Sequence, residues 1–224
     1  MAGGLPQRRV RRDARLPSSS SSSSGAPEWE EERARLLDAV AKAASEHGYR
    51  DFTVEQVARY AGLSATDFHE HFESREEGVM AAYDAFLDRL LADASAACEE
   101  HDDWPDKVIA ALEAVFSTLV EASAVARVFA IEVAAAGIPA TVRQIDALDG
   151  FASLLRHGRD LYPRAAALPE PAERALVGGV ASIVSGHLLA EDPASLPALE
   201  PQLAELLLTP YLGEEGAKRS AAHR

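Results

Sequence analysis

His69, Glu70 and His71, followed by Glu73 and Arg75, form the densest group of chemically versatile side chains in this sequence. Imidazole, carboxylate and guanidinium groups suit metal binding, proton transfer or contact with a polyanion, and spacing decides among these. Residues two apart on a helix point about 200° apart, so His69, His71 and Glu73 diverge instead of converging on one ion. Cys98 and His101 share a helix face but lack further ligands, a weak zinc signal. No Glu-x-x-His pair, Walker loop, Gly-x-Ser-x-Gly elbow or His-Glu-x-x-His occurs. The sequence predicts no metal, no cofactor and no enzyme. Contact with a polyanion is what remains.

The elements that must position these side chains are short helices. Thr53 and Gln56 form a capping box that opens one helix, with Val54, Val57 and Ala58 facing inward. Ala61-Gly62 breaks it, and Ser64 with Asp67 repeats the box for the next, with Phe68 and Phe72 on its core face. Two short helices joined by a tight turn have the shape of a helix-turn-helix, whose second helix enters the DNA major groove. With Phe68 and Phe72 inward, Thr66 and Glu70 stand near the centre of the opposite face, His69 on one flank and Asp67 and His71 toward the other. The helix N-termini at Thr53 and Ser64 offer backbone N–H groups suited to phosphate oxygens. Arg75, opening the following helix, is placed to pair with a phosphate. Glu70 either accepts a hydrogen bond from a cytosine N4, a pairing worth about 1–3 kcal/mol of discrimination, or is a solvated charge that weakens binding.

Before this pair, a helix from Glu28 to His47 repeats Leu36, Leu37, Val40, Ala41 and Ala44 at helical spacing, carries glutamates at its positive end and stops at Gly48. After it the helical segments lengthen: Arg75 to His101, Trp104 to Ser123, Ala124 to Ala136, Ala140 to Tyr162, 171–190 and 198–212. Gly137-Ile138-Pro139, Pro163, Asp192-Pro193 and Pro197 punctuate them. No stretch alternates as a strand. The fold class is all-α, about nine helices, with a three-helix head at 28–74 and a larger helical body at 75–213. Residues 1–27, basic and then serine-rich, read as a disordered arm, and 214–224 as a flexible tail.

The 224 residues, 47% hydrophobic, suffice for one or two real cores. The formal net charge of −14 argues against non-specific polyanion binding by the whole surface. It is segregated, however: Arg8, Arg9, Arg11, Arg12 and Arg15 make the arm basic, either a minor-groove reader or a floppy leader. A single cysteine excludes an intramolecular disulfide, and the longest apolar run, Val177 to Ala190, is too short to span a membrane. A cytoplasmic protein without a membrane partner is expected.

The head resembles the TetR family of one-component transcription regulators. Arg35-Leu36-Leu37-Asp38-Ala39-Val40, Gly48-Tyr49 and Thr53 to Glu77 carry the resemblance, most specifically Ala61-Gly62-Leu63-Ser64 and Phe68-His69-Glu70-His71-Phe72-Glu73-Ser74-Arg75. The specific part spans roughly 33 to 80; the rest agrees mainly in helix number and length. Two residues depart from the pattern, His69 where tyrosine is usual and Asp67 where threonine is common. The resemblance implies a head that binds double-stranded DNA through Thr53, Ser64, Ala65, Thr66, His69, Glu70, His71 and Arg75. If His69 or His71 touches phosphate, binding strengthens as pH falls; otherwise each donates one neutral hydrogen bond.

For the body the resemblance implies a ligand pocket between the helices after the fourth, involving Phe116, Phe129, Glu132, Phe151, Leu154, Leu155 and His187, with Asp149 and His157 as further polar groups. Its composition suits an unknown apolar or amphipathic small molecule. Gly178, Gly179, Ser182 and Gly186 permit close helix approach and, with Leu203 and Leu207 of the final helix, are the expected homodimer interface; intramolecular packing would also explain the glycines. Two-fold symmetry then predicts a pseudo-palindromic operator. Repression is implied by the resemblance, while the residues alone allow activation. The alternatives are a ligand-binding or interaction protein whose head has lost DNA binding, and a helical enzyme.

Overall fold

A computed structural model describes residues 28–130 and 137–222, all helices and turns with no strand among them. The basic arm and Glu132 lie outside the described residues.

Helix α1 (Glu28–His47) buries Leu36, Ala39, Val40, Ala43 and Ala44, a stripe at i, i+3, i+4, i+7 and i+8. Gly48, at φ +86°, ends it. Helices α2 (Val54–Ala61) and α3 (Ala65–His71) pack across that stripe through Val57, Ala58, Ala61 and Phe68. Gly62 makes the turn between them at φ +68°, its N–H returning to the carbonyls of Ala58 and Arg59.

Helix α4 (Arg75–Glu99), about 37 Å long by its residue count, belongs to both halves. Its first turns carry Val79, Ala82 and Tyr83 into the head core, and Leu90 enters the body core. Gly78 lets α4 approach α3: a Cβ there would stand 2.9 Å from Phe68 Cζ.

The body adds α5 (Trp104–Glu121), α6 (Ser123–Val128), α7 (Ile138–Arg156), α8 (Gly158–Leu161), α9 (Ala172–Ala190), α10 (Glu200–Leu212) and α11 (Glu214–Ala221). Helix α7 runs parallel to α4 with a constant offset. Arg143 donates to Asp84 at 2.7 Å, and one heptad later Gly150 is so close to Leu91 that a Cβ would meet its Cδ2 at 2.6 Å. At the far end Trp104 lies on Gly158 and against the rings of Tyr162 and Tyr211.

The segmentation differs from expectation in three places. The helix expected from Ala140 starts at Ile138, because Pro139 in a first turn lacks only an N–H that has no partner there. The segment expected to run to Tyr162 divides at His157. The expected tail contains a helix instead: Gly213 at φ +76° turns the chain, and α11 returns Ala217 fully buried against the body.

One buried charge cluster had no sequence signal. Glu173, wholly buried on α9, accepts two hydrogen bonds from Arg159 of α8 at 2.6 and 2.8 Å and one from the Tyr211 hydroxyl of α10 at 3.0 Å. The guanidinium holds the Glu173 carboxyl below its usual range, while burial and the adjacent carboxylate push the Tyr211 phenol up.

Candidate nucleic-acid interface and ligand cavity

Both capping boxes are present. The Thr53 hydroxyl accepts the Gln56 N–H and the Gln56 side chain accepts the Thr53 N–H at 2.7 Å; Ser64 and Asp67 repeat the exchange, with 2.8 Å from the Ser64 N–H to the carboxylate. These bonds hold the Asp67 carboxyl below its ordinary range. They also correct an expectation, since the N–H groups of Thr53 and Ser64 are not free for phosphate. The hydroxyls likewise take the N–H groups of Gln56 and Asp67, which leaves the first two N–H groups of α3 and the exposed flanks of both caps.

Phe68 and Phe72 are buried, so Thr66, His69 and Glu70 are exposed on the opposite face and Ala65 is half-buried at its N-terminal edge. Two expected contacts change character. The His71 side chain, 1% exposed, turns into the junction with α1, its Nε2 3.7 Å from Glu32 and its ring 5.1 Å from that of Trp29. It is therefore an interhelical packing residue in this conformation, because the last turn of α3 rotates it off the flank. Arg75 donates to the Tyr49 carbonyl at 2.8 Å and to Glu76 at 2.7 Å, with its guanidinium over the Phe52 ring. It pins the α1–α2 loop to α4, and a phosphate would compete with Glu76 for it. Glu55, whose own N–H and the Thr53 hydroxyl lower its carboxyl pKa, is near enough to feel His69. Arg50 and Arg59 are exposed cations of the head that spacing had not singled out.

Between α4, α5, α6, α7 and α9 lies a cavity of about 390 Å³. Of the residues named for a ligand pocket, Phe116, Phe129, Phe151, Leu154 and Leu155 line it. His187 does not: its Nε2 meets the Ser195 hydroxyl at 2.7 Å. Asp149 pairs with Arg174, whereas His157 reaches the lining. Trp104, Lys107, Cys98 and Gln144 also line the cavity and were missed. Trp104 and Lys107 share one face of α5, a signal in the sequence; that His157 lines the same cavity depends on how α7 packs against the body, which no periodicity reveals. A second cleft of about 300 Å³ separates α1 from α4 and α6, and Phe86 and Phe129 line both spaces.

Gly178, Gly179 and Gly186 of α9 face open space, beside exposed Ser182, Ile183 and Leu189. Leu203 and Leu207 correct the expected interface. They are buried within the chain's own core, because the apolar stripe of α10 packs inward, leaving Leu206 as its exposed leucine.

Residues 36–78 match the model of the bacterial regulatory proteins of the tetR family. No curated protein matches the chain. The solved structures most similar in shape include the fatty acid degradation regulator FadR of Bacillus halodurans, 20% identical over 78% of this chain and 97% of that one, TM-score 0.68. FadR of Bacillus subtilis, in complex with stearoyl-CoA, is 17% identical over 79% and 98%, TM-score 0.68. RolR in complex with resorcinol is 17% identical over 88% and 96%, TM-score 0.63.

Proposed function

We propose, from a chain whose residues 36–78 are a tetR-family head on the fold of tetR-like regulators, that the protein is a homodimeric transcriptional repressor released from a pseudo-palindromic operator by an apolar or amphipathic small molecule. One observation carries the reading: the cavity and the cleft beside α1 share the wall made by Phe86 and Phe129. A ligand that moves this wall changes how the head sits on the body. Coupling needs only that it bind the two head positions with different affinity.

At the DNA, Thr66 and Glu70 are assigned to base edges, with Ala65 in apolar contact. His69, Thr53, Ser64 and a released Arg75 are assigned to phosphates. The exposed small-residue face of α9, with Ile183 and with Leu206 of α10, is the dimer surface; its two-fold sets two heads on successive major grooves. Structural neighbours bind ligands as different in size as resorcinol and stearoyl-CoA, and a cavity of about 390 Å³ suits an effector larger than the first and smaller than the second.

Selecting bound fragments from total genomic DNA tests the reading. Expected is a small set of pseudo-palindromic sites whose affinity falls steeply with salt. The acidity around the recognition face (Glu55, Glu70, Glu73) favours a second reading, a ligand-responsive interaction protein whose head no longer binds DNA. Absence of any specific complex at low salt would establish that reading and overturn the first.

A further inference from the structure

We propose that the cavity takes a single-chain amphiphile with an anionic head, a long-chain carboxylate. Its head lies at Lys107 and its chain runs toward Phe86 and Phe129. This rests on reading the cavity as a ligand site.

Three observations carry the polarity. Lys107 lines the cavity and forms no salt bridge among the described residues. Trp104, one turn before it on the same face, also lines the cavity; it is 3% exposed, and its Nε1–H is buried without an acceptor. An unmet buried donor destabilises the site, a cost that an acceptor supplied by a ligand head removes. Among the described residues the lining contains no carboxylate, and Asp103 and Asp106, the acids nearest in sequence, are exposed. The lining therefore carries a buried donor and an unpaired ammonium but no built-in anion.

The opposite end is different in kind. Tyr83, Phe86, Phe129 and Gln144 contribute aromatic and neutral polar groups and no cation. Tyr83 and Cys98, lining residues fifteen positions apart on α4, are separated by about 22 Å of helix. The space is thus long, apolar along its walls and cationic at one end. Lys107 and Trp104 lie at the N-terminal end of α5, whose dipole also favours negative charge and whose N-cap Asp103 makes no side-chain capping bond.

The test titrates the purified full chain, without DNA, with dodecanoate, dodecanol and dodecanoyl-CoA, following heat of binding. Dodecanoate is expected to bind about tenfold more tightly than dodecanol, the margin of a charge-assisted hydrogen bond over a neutral one in a dry site. Lys107→Met, which keeps the methylene stem, should erase that margin by weakening dodecanoate far more than dodecanol; Trp104→Phe should reduce it. Equal affinities for acid and alcohol, an unchanged ratio in Lys107→Met, or no binding of dodecanoate would each overturn the proposal. Preference for dodecanoyl-CoA that is indifferent to Lys107→Met would overturn it in favour of a thioester ligand. Thermal melting of both variants checks that the fold is retained. Because no DNA is present, failure of the repressor reading is separate: dodecanoate that binds at Lys107 yet leaves the operator complex intact defeats only that reading.

Discussion

Phe86 and Phe129 stand 5.4 Å apart, centroid to centroid, and each belongs to two walls, that of the body cavity and that of the cleft against α1. Phe129 is also packed edge-on to Tyr83 at 5.5 Å. A close-packed aromatic partition has no soft direction, so a ligand that displaces one ring must move its neighbours. Phe86 sits in α4, the helix that enters both cores, and Phe129 immediately follows α6.

Phe86→Leu should therefore separate ligand binding from its consequence. Ligand affinity is expected to stay within about threefold of wild type, because apolar lining is retained. The ligand-induced drop in operator affinity should shrink by about tenfold, a loss within the usual range of coupling free energies. Operator titrations with and without saturating ligand measure both numbers. An unaltered ratio would remove Phe86 from the coupling route.

The Ser64–Asp67 box makes a pH-dependent contribution whose sign is fixed. The Asp67 carboxyl is held down by hydrogen bonds from the Ser64 amide and hydroxyl. A carboxyl lowered on folding stabilises the native state above its unfolded pKa, about 3.9, and loses that contribution as pH falls through the folded value. Asp67→Ala should lower the melting temperature at neutral pH, with the gap to wild type closing as pH drops below the carboxylate range. Ser64→Ala, which removes the cap acceptor itself, should cost about 1 kcal/mol at neutral pH and keep part of that cost in acid, because the bond from the Asp67 N–H is lost at any pH. Melting curves across pH for the three proteins decide it; a gap for Asp67→Ala that persists in acid would contradict the assignment.

Local rules made the head legible. Thr53, Gln56, Ser64 and Asp67 fix two helix starts within their own turns, Gly48 and Gly62 fix stops, and Phe68 and Phe72 select the buried face. The exposure of Thr66, His69 and Glu70 on the outer face of α3 follows from those facts alone. What failed depends on long-range geometry. His71 and Arg75 have the spacing of surface residues, yet Glu32, Trp29 and the Tyr49 carbonyl, distant in sequence, claim them. In the body the aromatic lining could be named only through the family resemblance. The inward turn of Leu203 and Leu207, and the cationic end at Lys107, are set by how helices pack, which periodicity does not encode.

The Glu173 cluster should behave as a structural tie. Glu173→Ala leaves Arg159 beside two carbonyls, those of Leu168 and Pro169, without its counter-charge, and removes the acceptor of the Tyr211 hydroxyl. Removing one partner of a buried pair costs about 3–5 kcal/mol; the lower end applies, because the Arg159 side chain is 23% exposed. Denaturant unfolding should show this loss, with ligand affinity retained in the folded fraction. Because the Glu173 carboxyl is lowered on folding, the difference from wild type should narrow in acid.

The two histidines of α3 should part company in DNA binding. His71 is enclosed between Trp29 and Glu32, whereas His69 is exposed on the outer face of α3 and rests edge-on against Phe68 at 5.4 Å. An imidazole that gains a proton beside phosphate strengthens the complex, so operator affinity at constant salt should rise as pH falls from mildly alkaline to mildly acid. His69→Gln keeps a neutral donor and should flatten that profile. His71→Gln should preserve it and instead lower the melting temperature of the free protein, since it disturbs the α1–α3 junction. The reverse pattern, a profile abolished by His71→Gln and untouched by His69→Gln, would mean that α3 rotates on the operator and frees the buried ring. A flat wild-type profile would leave His69 as a donor of one neutral hydrogen bond.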